Sequence, residues 1–267
     1  MKKASQFSYF HLKKVNPVIK YLTISDILII SGRNKRAMED HFDRNTELEE
    51  RLTKEEKDTL FNEIRHIADM ANIHYVRQKE IKGLGDAIYY ARFHTGDEPF
   101  AVLLGDTIIN SVMPVTQQLI DVYEQYQATT VAVEVVPKDK VSRYGIVGGK
   151  KLSDKIMEVS EFIEKPSIEE APSNLAIAGR YILTKEIYAA LEQTPKGKNN
   201  ELQLTDALMT LARKEQVISH TIQGKRYDIG IKLDYLKTTV EYALRRKEFA
   251  KPFYEYLKKI VEENHIE

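Results

Sequence analysis

The chain has no cysteine and no tryptophan among its 267 residues. Without thiols it forms no disulfide, binds no metal through sulfur and uses no cysteine nucleophile; this suits a reducing compartment, and the cytoplasm is the expected location. Net charge is also missing. Lys and Arg total 40 and Asp and Glu total 40, so no global field draws in nucleic acid or an anionic membrane. Any bound anion needs a local site. Apolar runs such as Ile27 to Ile30 and Phe100 to Leu104 fall far short of the roughly 20 residues that a membrane span requires. Gln6, Ser8, His11, Lys13 and Lys14 interrupt the stretch after Lys2 and Lys3, so no export signal is expected.

Several catalytic patterns are absent too. The histidines, His41, His66, His74 and His94 among them, show no His-x-x-x-His spacing, which argues against zinc chemistry. There is no Gly-x-Ser-x-Gly elbow and no Gly-rich loop ending in Gly-Lys-Ser/Thr, so hydrolase and P-loop readings lose their main support.

What is present alternates short aliphatic runs with amphipathic segments, the pattern of an α/β fold with a central mixed, mainly parallel sheet flanked by helices. Ile27 to Ile30 and Phe100 to Leu104 lack polar alternation, as expected of strands covered on both faces. Leu60, Ile64, Ile67, Ala68 and Ala71 recur at helical spacing, with Thr53 and Glu56 offering a capping box. Further strands are expected at His74 to Gln78, Ala128 to Val136, Gly145 to Val147, Ile156 to Glu164 and Leu175 to Leu183. Helices are expected near Ala87 to Arg92, at Lys185 to Leu191, Thr205 to Lys214 and Ile231 to Arg246, and in a tail from Phe253 to Glu263. No repeat or linker divides the chain.

Ligands of open α/β sheets bind beyond the carboxyl ends of strands, so residues there are the first candidates. Gly105-Asp106 follows an apolar strand and would hold one carboxylate rigidly; an Asp capping the next turn is an equally good reading on turn chemistry. Arg226-Tyr227-Asp228-Ile229-Gly230 supplies a second strand-end carboxylate, and two converging Asp residues suit Mg²⁺. Gly83-Leu84-Gly85 after Gln78 allows close backbone approach to a base or anion, with a plain tight turn the simpler reading. Lys165, between Glu164 and Pro166, could meet a phosphate as a point charge, although most such lysines are merely solvated. A solvated face is the simpler account of Arg33, Lys35 and Arg36.

Collinear segments then resemble the bacterial UTP:glucose-1-phosphate uridylyltransferases, or UDP-glucose pyrophosphorylases. They are the stretch Asp26 to Asp43, Tyr75-Val-Arg-Gln78 with Gly83-Leu-Gly85, Phe100-Ala-Val-Leu-Leu-Gly-Asp106 and Ser142-Arg-Tyr-Gly145. Further on come Phe162-Ile-Glu-Lys-Pro166, Ala171 to Tyr181, Glu201-Leu-Gln-Leu-Thr-Asp206 and Gly224-Lys-Arg-Tyr-Asp-Ile-Gly230. The resemblance implies a Rossmann-like nucleotidyltransferase fold and uridylyl transfer from UTP to glucose 1-phosphate, in nucleotide-sugar biosynthesis. Asp106 and Asp228 would hold Mg²⁺, and Lys165 would meet the sugar phosphate. Gln78 and Gly83 would face the uracil, and Gly145, Glu164, Gly179 and Glu201 would line the sugar. UTP, glucose 1-phosphate and product UDP-glucose are the implied partners, with no nucleic acid or membrane and with room for a homo-oligomer.

The family opens with a strand and a Gly-x-Gly-Thr-Arg loop followed by a Pro-Lys segment, and neither motif occurs in residues 1–25. The resemblance therefore divides the chain into a divergent segment, 1–25, a nucleotidyltransferase domain, 26–246, and a helical tail, 247–267. Smaller departures are Asp86, Thr107, Asn199-Asn200 and Ile231. Losing backbone donors and cations that cradle a triphosphate predicts lowered turnover, and a non-catalytic UDP-sugar binding protein is the alternative. Gln6 to Leu12 is expected to stand in as a strand, with Phe7, Tyr9 and Phe10 burying part of their rings.

Overall fold

The computed structural model describes residues 7–11, 24–69, 71–197 and 200–263, the first of these as backbone alone. In chain order the elements are β1 (Phe7–His11), β2 (Asp26–Ser31), α1 (Arg36–Phe42), α2 (Thr46–Lys54), α3 (Asp58–Asp69), β3 (Asn72–Arg77), α4 (Leu84–Tyr89) and α5 (Arg92–Thr95). Then come β4 (Phe100–Leu104), β5 (Thr107–Asn110), α6 (Val115–Tyr126), β6 (Thr129–Val135), a 3₁₀ turn (Lys138–Arg143), β7 (Gly145–Lys151), β8 (Ile156–Glu164) and β9 (Leu175–Leu183). The chain continues through α7 (Glu186–Gln193), α8 (Leu204–Ala212), β10 (Val217–Thr221), β11 (Lys225–Asp228), α9 (Lys232–Arg245) and α10 (Ala250–Glu263).

Nine of the described strands form one sheet in the order β3-β2-β1-β4-β9-β6-β10-β8-β7, with β7 also pairing with β9, and β11 pairs with β5 in a small second sheet. The mixed α/β class is as expected, but "mainly parallel" holds only for strand direction. β2, β3, β4, β6, β7 and β10 point one way and β1, β8 and β9 the other. Adjacent strands are parallel only at β2–β3 and β6–β10, because the reversed strands sit between the others. Hydrophobic runs reveal that a strand is buried on both faces and say nothing about its neighbour's direction.

The sheet's two faces carry separate cores, as a period of two requires. Phe100, Val102, Val131, Val133 and Leu183 pack on one side with Ile88, Leu191, Leu204 and Leu208 from α4, α7 and α8. Ala101, Ala132 and Ile182 face the other way, onto Val115, Leu119 and Ile120 of α6. The sequence reading omits α6, since Thr116, Gln117 and Gln118 dilute its apolar stripe. It also misplaces one helix start. Thr53 lies inside α2, its Oγ1 donating to the Glu49 carbonyl at 3.0 Å, while the α2 cap is Asn45, whose side chain accepts from the Leu48 amide at 3.0 Å. Glu56 sits in the left-handed region, φ 54°, and separates α2 from α3.

The expected amino-terminal strand is present. β1 pairs antiparallel with both β2 and β4, Tyr9 lying opposite Leu28 and Val102. The expected ring burial of Phe7, Tyr9 and Phe10 concerns side chains outside those described. No helix among the described residues is long and apolar enough to cross a membrane.

Candidate functional site

Strand β4 is buried along Phe100, Ala101 and Val102 and delivers the turn Gly105-Asp106, after which Thr107 opens β5. β5 pairs antiparallel with β11, which puts Asp228 opposite Thr107, and the Ile229 amide donates to the Asp106 carbonyl at 2.9 Å. Two carboxylate-bearing residues distant in sequence are thus locked next to each other by a ladder. Asp228 Oδ1 accepts from the Gly230 amide at 3.1 Å, fixing the turn into α9. Both Asp residues line one cavity of about 230 Å³, together with Gly145, Glu164, Lys165 and Gly179.

The opposite wall comes from β7, β8 and β9. Gly145 pairs with Glu164 in the β7–β8 ladder, and Glu164 Oε2 accepts from Thr205 Oγ1 at 2.7 Å. A methyl on Gly145 would come within 3.0 Å of Ile177 and Thr205 and 3.2 Å of Glu164, so glycine keeps this wall open. Gly179 has φ 70°, and a Cβ there would meet Thr107 Oγ1 at 3.0 Å. Lys165 leaves β8 in a left-handed conformation, φ 50°, its amide donating to the Tyr144 carbonyl at 3.0 Å. Its Nζ lies 3.3 Å from Glu164 Oε1, and its side chain is 61% exposed, so the ammonium stands at the cavity mouth, within reach of an arriving anion.

Gln78, Gly83 and Glu201 are not among the residues lining that cavity and gather beside it, next to its lining residues Leu84 and Gln203. Gln78 is 8% exposed; its Nε2 donates to Asp86 Oδ2 at 2.6 Å and contacts the Gly83 carbonyl at 3.5 Å. Gly83, φ 102°, lies so close to the loop after Asn200 that a Cβ would meet the Leu202 carbonyl at 2.6 Å and the Glu201 Cβ at 3.1 Å. Two backbone bonds stitch this contact: Gly85 amide to Leu202 carbonyl at 2.8 Å and Leu202 amide to Lys82 carbonyl at 2.7 Å. Glu201 accepts from Gln203 Nε2 at 3.1 Å. Arg33 and Arg36 are exposed at the start of α1, with Arg36 3.9 Å from Asp40.

The sequence reading does not single out Arg143, Tyr144, Thr205 or Arg226, all of which line the cavity. The Arg226 side chain is 7% exposed, pairs with Glu134 and lies 4.5 Å from the Tyr144 ring centre. Burial works against its charge, but Glu134 and Tyr144 together more than offset this and raise its pKa above the ordinary arginine value. Period-two geometry could have found it, because residues 226 and 228 of one strand share a face. The cavity then carries three cations, Arg143, Lys165 and Arg226, and three carboxylates, Asp106, Glu164 and Asp228. That balance suits an anionic substrate brought together with a cation.

Residues 14–244 match the family model described as "Nucleotidyl transferase". The chain is 46% identical over 252 residues to UTP–glucose-1-phosphate uridylyltransferase YngB of Bacillus subtilis, covering 92% of this chain and 85% of that protein. A UTP–glucose-1-phosphate uridylyltransferase of Staphylococcus epidermidis is 45% identical over 251 residues, covering 91% and 87%. Among solved structures, a UDP-glucose pyrophosphorylase complexed with UDP-glucose matches with TM-score 0.75 at 41% identity, over 83% of this chain and 82% of that one. A UTP-bound UGPase from Acinetobacter baumannii matches with TM-score 0.80 at 34% identity, over 88% and 82%.

Proposed function

Because the chain belongs to the nucleotidyl transferase family, among the UTP–glucose-1-phosphate uridylyltransferases, we propose that it joins UTP and glucose 1-phosphate into UDP-glucose and pyrophosphate. The observation that carries this reading is the β5–β11 ladder, which brings Asp106 and Asp228 to one cavity with Lys165. In the reaction a phosphate oxygen of glucose 1-phosphate attacks the α-phosphorus of UTP, and the bond to the β-phosphate breaks as pyrophosphate leaves. Such a transfer needs positioning and charge neutralisation more than covalent help.

Asp106 and Asp228 fit a hard divalent cation. Among the described residues no group of three or more His, Asp or Glu side chains could hold a metal, and two carboxylates match an ion that keeps waters and substrate phosphates as its other ligands. We assign Mg²⁺ to this pair; when bound it supplies charge neutralisation at the phosphates. Lys165 meets the phosphate of the sugar as a flexible point charge, and Glu164 holds it there until substrate arrives. Gly145, Gly179 and Glu164 frame the hexose, Glu164 accepting from sugar hydroxyls in an orientation fixed by Thr205. Gln78, Gly83 and Glu201 form the neighbouring wall, Gln78 and Gly83 toward the base and Glu201 toward the sugar.

The test is pyrophosphate release from UTP, glucose 1-phosphate and Mg²⁺, with UDP-glucose identified as product. Tight UDP-glucose binding without turnover would overturn the proposed activity and favour a binding protein.

A further inference from the structure

Arg180 stands on β9 between the cavity-lining residues Gly179 and Tyr181, and its side chain donates to three backbone carbonyls. Nη1 donates to Leu104 O at 3.1 Å and to Gly179 O at 2.9 Å, and Nη2 donates to Thr107 O at 2.6 Å. Leu104 and Thr107 bracket the Gly105-Asp106 turn, while Gly179, the residue just before Arg180, belongs to β9, the strand paired with β4. A planar guanidinium can take these acceptors at once because its donors form a rigid fork; an ammonium on a flexible stem cannot reproduce that span. The turn is consequently held on one side by Ile229, just past β11, through the Asp106 carbonyl, and on the other by Arg180.

We propose that Arg180 is a positioning residue, clamping the Asp106 turn to Gly179 so that the carboxylate pair and the sugar wall keep one fixed separation. The inference rests on the uridylyltransferase reading for its meaning and on geometry for its existence. The charge of Arg180 fits the same role. Burial draws its pKa down to about 10, Tyr181 and Asp106 act in the opposite direction, and the group stays cationic at neutral pH beside Asp106.

The test compares wild type, R180K, D106N and the double variant by two readouts: steady-state kinetics, and Mn²⁺ binding followed by the free-ion EPR signal in the presence of UDP-glucose. R180K keeps the charge and loses the fork. It is expected to weaken Mn²⁺ binding and lower kcat by roughly tenfold each, the scale of losing support behind a metal ligand, with the KM for glucose 1-phosphate within about threefold. In the D106N background the same change should add little, since its effect is routed through Asp106. If R180K does not fold, R180Q takes its place in the same cycle. Additive losses, or unchanged Mn²⁺ affinity in a folded variant, overturn the clamp while leaving the proposed reaction standing. A wild type that binds Mn²⁺ and responds to R180K yet makes no UDP-glucose keeps the clamp and refutes the reaction. A wild type that neither binds Mn²⁺ nor turns over removes both.

Discussion

The strand-built part of the site and the loop-built wall beside it are made in different ways. Asp106, Asp228, Gly145, Glu164 and Gly179 sit in or directly beside paired strands, and β9 is buried along most of its length. Gln78, Gly83 and Glu201 sit where β3 ends and loops meet, and β3 has no fully buried residue among Asn72 to Arg77. Their mutual placement depends on the two backbone bonds linking residues 82 and 85 to Leu202 and on the Gln78 side chain's contacts with Asp86 and Gly83. A ladder fixes a group to a fraction of an ångström, as charge neutralisation in a transition state requires, whereas a loop contact can shift to fit a flat base. Substitutions in the strand-built wall should therefore act on kcat, and those in the loop-built wall on KM.

The largest effect is expected from Asp106→Asn, which should lower kcat about 10³-fold with thermal stability little changed, measured by pyrophosphate release. A comparable loss of stability would mean that the turn, and not the charge, was being tested. Next, Lys165→Ala should cost about 10²-fold in kcat/KM for glucose 1-phosphate and weaken UDP-glucose binding in calorimetry. If the strand-built wall carries the affinity, UTP alone should bind more weakly than UDP-glucose; tight UTP binding without sugar would reverse the comparison.

Gly83→Ala probes the loop-built wall. At φ 102° and with Leu202 O in the way, it should destabilise the fold by about 1–3 kcal/mol in denaturant titration and raise the KM for UTP more than it lowers kcat. The smallest effect is expected from Arg33→Ala with Arg36→Ala. Both side chains are exposed, and activity should stay within about twofold, the surface norm for stability being about ±0.5 kcal/mol. A tenfold loss would show that these cations replace those of the Gly-rich loop absent from residues 1–25.

Legibility in the sequence depends on how each part is built. β2 and β4 could be read because strands buried on both faces leave unbroken aliphatic runs, and β6 and β9 because their runs are mostly apolar. Asp106 and Asp228 could be read as strand-end carboxylates, but nothing in their spacing says that β5 and β11 pair; that contact joins residues more than a hundred positions apart. Short strands such as Thr107–Asn110 carry too few residues for a period to register. Arg180 escaped for another reason. An arginine inside an apolar run resembles an outward-facing residue, and only the fold reveals the three carbonyls waiting for it.

Strand β1 has a consequence for how the chain assembles. Among the described strands β2 and β3 reach the rest of the large sheet only through it, and its register joins Phe7 to Leu104, about a hundred residues away. During synthesis the first strand of the sheet emerges well before β4, the partner on its far side. Until β4 arrives, the outer edge of β1 remains open to pairing with other chains, and the loop that must close is long. Refolding is therefore expected to be slow and concentration-sensitive at the step that docks β4, with aggregation falling as the chain is diluted.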